Sequence, residues 1–76
     1  MHVIIAKVDE NLFDGEAVSM TVPGSAGEMT ILAEHMPLVT TLKAGTIVVR
    51  SSAGEKQFSI TSGVLEVRRD GATVIL

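Results

Sequence analysis

The sequence predicts an all-β fold: a small flattened sandwich of two mainly antiparallel sheets, with about eight to ten short strands and no significant helix. Three observations predict it. Glycines at 15, 24, 27, 45, 54, 63 and 71, with Pro23 and Pro37, cut the 76 residues into short segments rich in Val, Ile and Thr. Several of those segments alternate apolar and polar residues with period two, the repeat of a strand that buries one face. No window of 11 or more residues carries apolar positions at the 3.6 spacing of a helix.

The elements follow in chain order. Val3–Val8 is apolar on both faces, so this strand is either central and covered twice or meets a partner with its outer face. The acidic pair Asp9-Glu10 reads as a solvated loop. In Glu16–Val22, Val18, Met20 and Val22 share one face while Ala17, Ser19 and Thr21 share the other. Pro23-Gly24 is a turn signal. Gly27 to Val49 contains three short apolar strands separated by two loops, the first carrying His35 and Pro37 and the second turning at Gly45. Ser51-Ser52-Ala53-Gly54 reads as a turn. In Lys56–Ile60, Phe58 and Ile60 point together, opposite Gln57 and Ser59. Asp70-Gly71 joins Val64–Arg68 to Ala72–Leu76 as a two-residue hairpin, because both residues tolerate the positive φ of a primed turn. In the last strand Val74 and Leu76 oppose Thr73 and Ile75.

Composition narrows the function. A chain of this length buries only about 60% of the surface its unfolded form exposes. With no cysteine there is no disulfide framework or thiolate metal site to supplement the core. Phe13 and Phe58 are its only aromatics, so the core is aliphatic and suits thin, interleaved sheets better than a bulky ligand pocket. The net charge of −3 and the scattered basic residues Lys7, Lys43, Arg50, Lys56, Arg68 and Arg69 argue against nucleic-acid binding. No apolar run approaches the roughly 18 residues of a membrane span. Met1-His2-Val3 does not begin a signal peptide, so the chain reads as soluble and cytoplasmic unless a partner holds it at a membrane.

No constellation for catalysis, metal or cofactor binding is present. His35 has only Glu34 and Thr40 as polar neighbours, and His2 lies at a frayable terminus, so neither reads as an acid–base or metal residue. Ser51, Ser52 and Ser62 have no base beside them. Gly24-Ser25-Ala26-Gly27 lacks the Lys-Ser/Thr of a phosphate loop. Arg68 and Arg69 are strand neighbours that point to opposite faces, a poor phosphate clamp.

The segment Gly27 to Val49 carries more specific information. It has an acidic residue after a loop glycine (Gly27-Glu28), an apolar pair, then His35-Met36-Pro37-Leu38, Thr40, and Leu42-Lys43-Ala44-Gly45. This resembles the N-terminal domain of the epsilon subunit of F-type rotary ATP synthases, called delta in mitochondria. Leu12-Phe13-Asp14-Gly15 resembles the apolar-Phe-x-Gly turn after the first strand of that family, and Ser62-Gly63-Val64-Leu65-Glu66-Val67 its Gly-Gly-Val-Leu-Glu-Val strand. Thr30, Ala33, Glu34 and Ala44 depart from it, standing where the family usually has Gly, Pro, Gly and Pro; the first three are read as one loop region.

The resemblance implies a non-catalytic central-stalk subunit that binds the gamma subunit, rests on the c-ring and couples proton or sodium flow to ATP synthesis. Contact with the catalytic alpha/beta head would be indirect. It implies a gamma-facing set of Lys7, His35, Thr40, Val64, Leu65, Glu66 and Val67. It also implies a ring-facing loop of Ser25, Ala26, Gly27, Glu28 and Met29. The expected location is the cytoplasmic face of the bacterial inner membrane, as a peripheral component. The family's C-terminal helical hairpin begins about where this chain stops, so residues 1–76 are read as the β-sandwich domain alone, and no nucleotide binding is expected. The alternative reading is a generic β-sandwich interaction module.

Overall fold

The computed structural model describes residues 1–34 and 36–76. Among the described residues nine strands run in order: β1 (His2–Lys7), β2 (Glu10–Glu16), β3 (Ser19–Gly24), β4 (Gly27–Leu32), β5 (Leu38–Leu42), β6 (Gly45–Ser51), β7 (Gly54–Ile60), β8 (Gly63–Arg68) and β9 (Gly71–Ile75). No helix occurs among the described residues. The hydrogen-bonded order is β2-β1-β9-β8-β5-β3-β6-β7, with β4 on the other edge of β3. Among the described residues only β1 and β9 pair in parallel. The β5–β3 link is a single bridge, Gly24 to Leu42. At that bridge the sheet curls, giving a five-stranded limb, β2-β1-β9-β8-β5, and a four-stranded limb, β4-β3-β6-β7. The predicted sandwich is therefore one curled sheet whose limbs face each other.

The core lies between the limbs. Val3, Ile5, Leu42, Leu65, Val67, Ala72 and Val74 come from the five-stranded limb, and Met20, Val22, Ile31, Ile47, Val49 and Ile60 from the other. Most are strand neighbours two apart, so period two in the sequence becomes one buried face per strand. Each such aliphatic side chain contributes about 1.5–3 kcal/mol of burial. Phe13 on β2 and Phe58 on β7 meet edge to face, with centroids 6.1 Å apart, and close one side of the sandwich. The Lys56 ammonium lies 5.8 Å from the Phe13 ring centre.

Several local expectations are corrected. Leu12-Phe13-Asp14-Gly15 is not a turn: it lies inside β2, where Phe13 pairs with Ile5 and Asp14 with Ile4. The turn is Val8-Asp9, and Glu10 already belongs to the strand. Leu12 is the extra residue of a bulge, the register passing from Ile5–Phe13 to Ala6–Asn11. Glu16–Val22 is not one strand. Ala17 N–H donates to the Met1 carbonyl at 2.8 Å and Val18 N–H to the Arg50 carbonyl at 2.7 Å, so the chain changes limbs there. Val18 consequently leaves the face of Met20 and Val22 and is exposed.

Pro23-Gly24 ends β3, and the turn is Ser25-Ala26. Gly24 is needed for close approach rather than for turning, since a Cβ there would sit 2.7 Å from the Gly27 carbonyl oxygen. The hairpin between β8 and β9 turns on Arg69-Asp70, and Gly71 opens β9 against the His2 carbonyl, where a Cβ would collide. Thr30 is not in a loop: it lies in β4 opposite Thr21. Glu34 adopts φ 63°, a left-handed conformation that disfavours side chains. The N-terminus is not frayed, because the Met1 ammonium donates to the Ala17 carbonyl at 2.9 Å and His2 N–H to that of Asp70 at 3.3 Å.

Candidate protein-interaction surface

Strand pairing fixes which side chains share the outer face of the five-stranded limb. One cross-strand row runs Ala6, Ile75, Val64, Thr41, and the next runs Asp14, Ile4, Thr73, Glu66, Val39. Cross-strand partners project to the same side, so Ile4, Ala6, Val39, Val64 and Ile75 form one apolar strip over four strands. Val39 is 70% exposed, Ile75 50% and Val64 43%, while Ile4 and Ala6 are half-buried. A contiguous apolar surface of this kind is a docking signature.

Charges border the strip at one end. The Arg68 guanidinium donates to Glu66 at 3.1 Å and to the Thr73 hydroxyl at 3.2 Å. The His2 ring lies between two carboxylates, Nε2 at 2.6 Å from Asp14 and Nδ1 at 3.2 Å from Glu16. Those hydrogen bonds, Glu16 foremost and then Asp14, hold the imidazole above its ordinary 6.5.

The outer face of the four-stranded limb is mainly polar, although Leu32 at the end of β4 is 56% exposed. Its central row is Thr30, Thr21, Val48, Gln57, with Thr21 and Thr30 hydroxyls 3.1 Å apart. Arg50 donates to Thr21 at 3.4 Å and lies 3.6 Å from Glu55. No comparable apolar strip forms among the described residues there.

The sequence-predicted residues separate on these surfaces. Of the first set, Val64 and Glu66 join the outer face, whereas Leu65 and Val67 point inward and are 0% and 2% exposed. Thr40 opposes Leu65 and shares the inward side of β5 with Leu38 and Leu42, half-buried. Lys7 is exposed at the end of β1, beside Ser59, Thr61 and Leu76 in a cleft of about 420 Å³. His35 lies outside the described residues. Of the second set, Ser25 and Ala26 form an exposed turn held against β5: Ser25 Oγ lies 2.7 Å from the Thr41 hydroxyl, and Ser25 N–H donates to the Thr41 carbonyl at 3.0 Å. Gly27, Glu28 and Met29 open β4. Glu28 is exposed opposite Pro23, and Met29 packs against the core.

Sequence reasoning missed Val39 and Ile75. The signal was present: in Leu38–Leu42 and Gly71–Ile75, as in β1, an apolar residue occupies the parity that faces away from the core.

Lys7 and the Ser25-Ala26 turn lie at the same end of the sandwich. Leu76 N–H donates to the Ala6 carbonyl at 2.9 Å and Lys43 N–H to that of Pro23 at 2.9 Å, while Leu42 pairs with both Gly63 and Gly24. These links bring the β1–β2, β3–β4, β5–β6 and β7–β8 connections together. Glu34, Met36, Pro37 and Arg69 are at the opposite end, where they line a shallow cleft.

Residues 1–76 match the family described as the beta-sandwich domain of the ATP synthase delta/epsilon chain. The ATP synthase epsilon chain of Bordetella parapertussis is 38% identical over 76 residues, covering 99% of this chain and 54% of the relative. That of Delftia acidovorans is 34% identical over the same length, covering 55% of the relative. The chain thus spans about half the length of the curated relatives it matches. Among solved structures, a chain of the Euglena gracilis mitochondrial ATP synthase (OSCP/F1/c-ring) superposes with a TM-score of 0.88 at 25% identity, covering 96% of this chain and 48% of that one. A chain of the Tetrahymena thermophila mitochondrial ATP synthase central stalk and c-ring gives 0.85 at 16% identity, covering 99% and 61%, a likeness of fold.

Proposed function

This chain belongs to the delta/epsilon chain family of ATP synthases, and from that premise we propose that it is a non-catalytic rotor subunit of the central stalk. It binds the gamma subunit with the outer face of its five-stranded limb and rests on the c-ring with the Ser25–Met29 segment. In bacteria this holds it peripherally at the cytoplasmic face of the inner membrane, with the alpha/beta head reached only through gamma. The observation that carries the reading is the strip Ile4, Ala6, Val39, Val64 and Ile75, whose exposure folding does not require. Leu65 and Val67 support that face from behind, and the family resemblance adds Thr40 and His35 to the gamma-binding set.

The mechanism is mechanical. A close-packed aliphatic core deforms little, so a torque applied at one surface of the sandwich reaches the other. Glu28, exposed at the mouth of β4, orients the ring contact more than it adds affinity, as rim charges do.

Co-elution with gamma tests the proposal. Val64→Lys with Ile75→Lys should abolish it, since each places an ammonium in an apolar contact, whereas Gln57→Lys should leave it intact. Retention by the double variant would move the interface elsewhere and favour the generic interaction module.

A further inference from the structure

The Val8-Asp9 turn is unusual for its position. Two-residue turns favour Gly, Asn and Asp, yet this one places a β-branched apolar residue at its tip, and Val8 is 99% exposed. The bulge at Leu12 lies directly beneath it, and bulges re-aim strand ends beside functional sites. Two exposed acids, Asp9 and Glu10, follow the valine, repeating the chemistry of Glu28 next to the Ser25-Ala26 turn. Both turns occupy the same end of the sandwich, and β9, β8 and β5 separate them. At the usual strand spacing that is a span of about 15–20 Å, within a molecule of 27 × 25 × 19 Å.

We propose that the Val8-Asp9 turn is a second point of contact with the ring, taking a ring loop that presents a basic or amide side chain. The inference rests on the assignment of the Ser25–Met29 end to the ring. A single loop contact acts as a pivot about which the sandwich can rock. Two contacts at opposite corners of one end oppose that rotation, with Val8 as the apolar anchor and Asp9 and Glu10 as the orienting charges.

The chain has no cysteine, so single-cysteine variants carry an unambiguous probe. Val8→Cys, Glu28→Cys and Gln57→Cys would each be coupled to a benzophenone maleimide, assembled into the complete synthase and irradiated. Adducts to the ring subunit are expected from positions 8 and 28 and not from position 57. An adduct from 28 with none from 8, or one from 8 to gamma, overturns the second contact and leaves the ring-facing end in place. No ring adduct from either position removes both. An adduct from 8 alone keeps the contact proposed here and removes the one at Glu28. In vesicles, Val8→Lys with Asp9→Lys should lower ATP-driven ion pumping per ATP hydrolysed, because each change sets an ammonium against a basic or amide ring loop. Unchanged pumping there would contradict the contact even with a crosslink present.

Discussion

The two outer faces of this sandwich share one backbone rule and differ in what occupies it. In both limbs every second residue points outward, and in both the inward positions make the core. On the four-stranded limb the outward central row is Thr30, Thr21, Val48 and Gln57. On the five-stranded limb the outward rows contain Ile4, Ala6, Val39, Val64 and Ile75. Core packing cannot explain the second choice, because those side chains face away from it. An apolar outer face costs solubility and invites association, so its presence on one limb only points to a partner on that side.

The largest effect should separate inward from outward positions on a single strand. Leu65→Ala removes a fully buried side chain and should cost about 2–5 kcal/mol. Val64→Ala, its exposed neighbour, should stay within about 0.5 kcal/mol. Chemical denaturation measures both. A comparable loss at Val64 would make the outer strip part of the core and break the contrast between faces.

A smaller effect concerns the connection that leads into β5 and Val39. Glu34 holds φ 63°, and glycine at that position would relieve the left-handed strain. Glu34→Gly should stabilise by about 0.5–1 kcal/mol, read as a rise in the denaturation midpoint. Destabilisation would mean that the Glu34 side chain contributes more than its backbone conformation costs.

The smallest effect is expected at the charged border. His2 is held above 6.5 by Glu16 and then Asp14. A group with a raised folded-state pKa stabilises fully below its unfolded value, and that contribution is lost as pH rises through the folded value. The wild-type melting temperature should therefore fall slightly as pH rises from below 6.5 to well above it, relative to His2→Gln. Parallel curves would show that the His2 pairs do not contribute to stability.

Much of this was legible in the sequence. Alternation identified the strands containing Met20 and Val22, Phe58 and Ile60, and Val74, because one buried face leaves a period-two record. β2 was hidden. Its bulge at Leu12 and its exposure at the limb edge break the alternation, so no strand is legible there and Leu12–Gly15 reads, by resemblance, as a turn. The turns at Ser25-Ala26 and Arg69-Asp70 were displaced from the predicted Pro-Gly and Asp-Gly pairs, because Gly24 and Gly71 serve close backbone approach instead. The candidate face was half legible: the double apolarity of β1 pointed to it, but Val39 and Ile75 join Val64 only through the β5–β8–β9 pairing. Such long-range register leaves no local trace in sequence.

Side-chain footprinting tests the central contrast most directly. Carbene labelling of the chain, alone and bound to the gamma subunit, reads the exposure of each face residue by mass spectrometry. Labelling of Val39, Val64 and Ile75 should fall on binding while that of Val48, Thr21 and Gln57 stays constant. Protection of the polar face, with the apolar strip still labelled, would contradict the account.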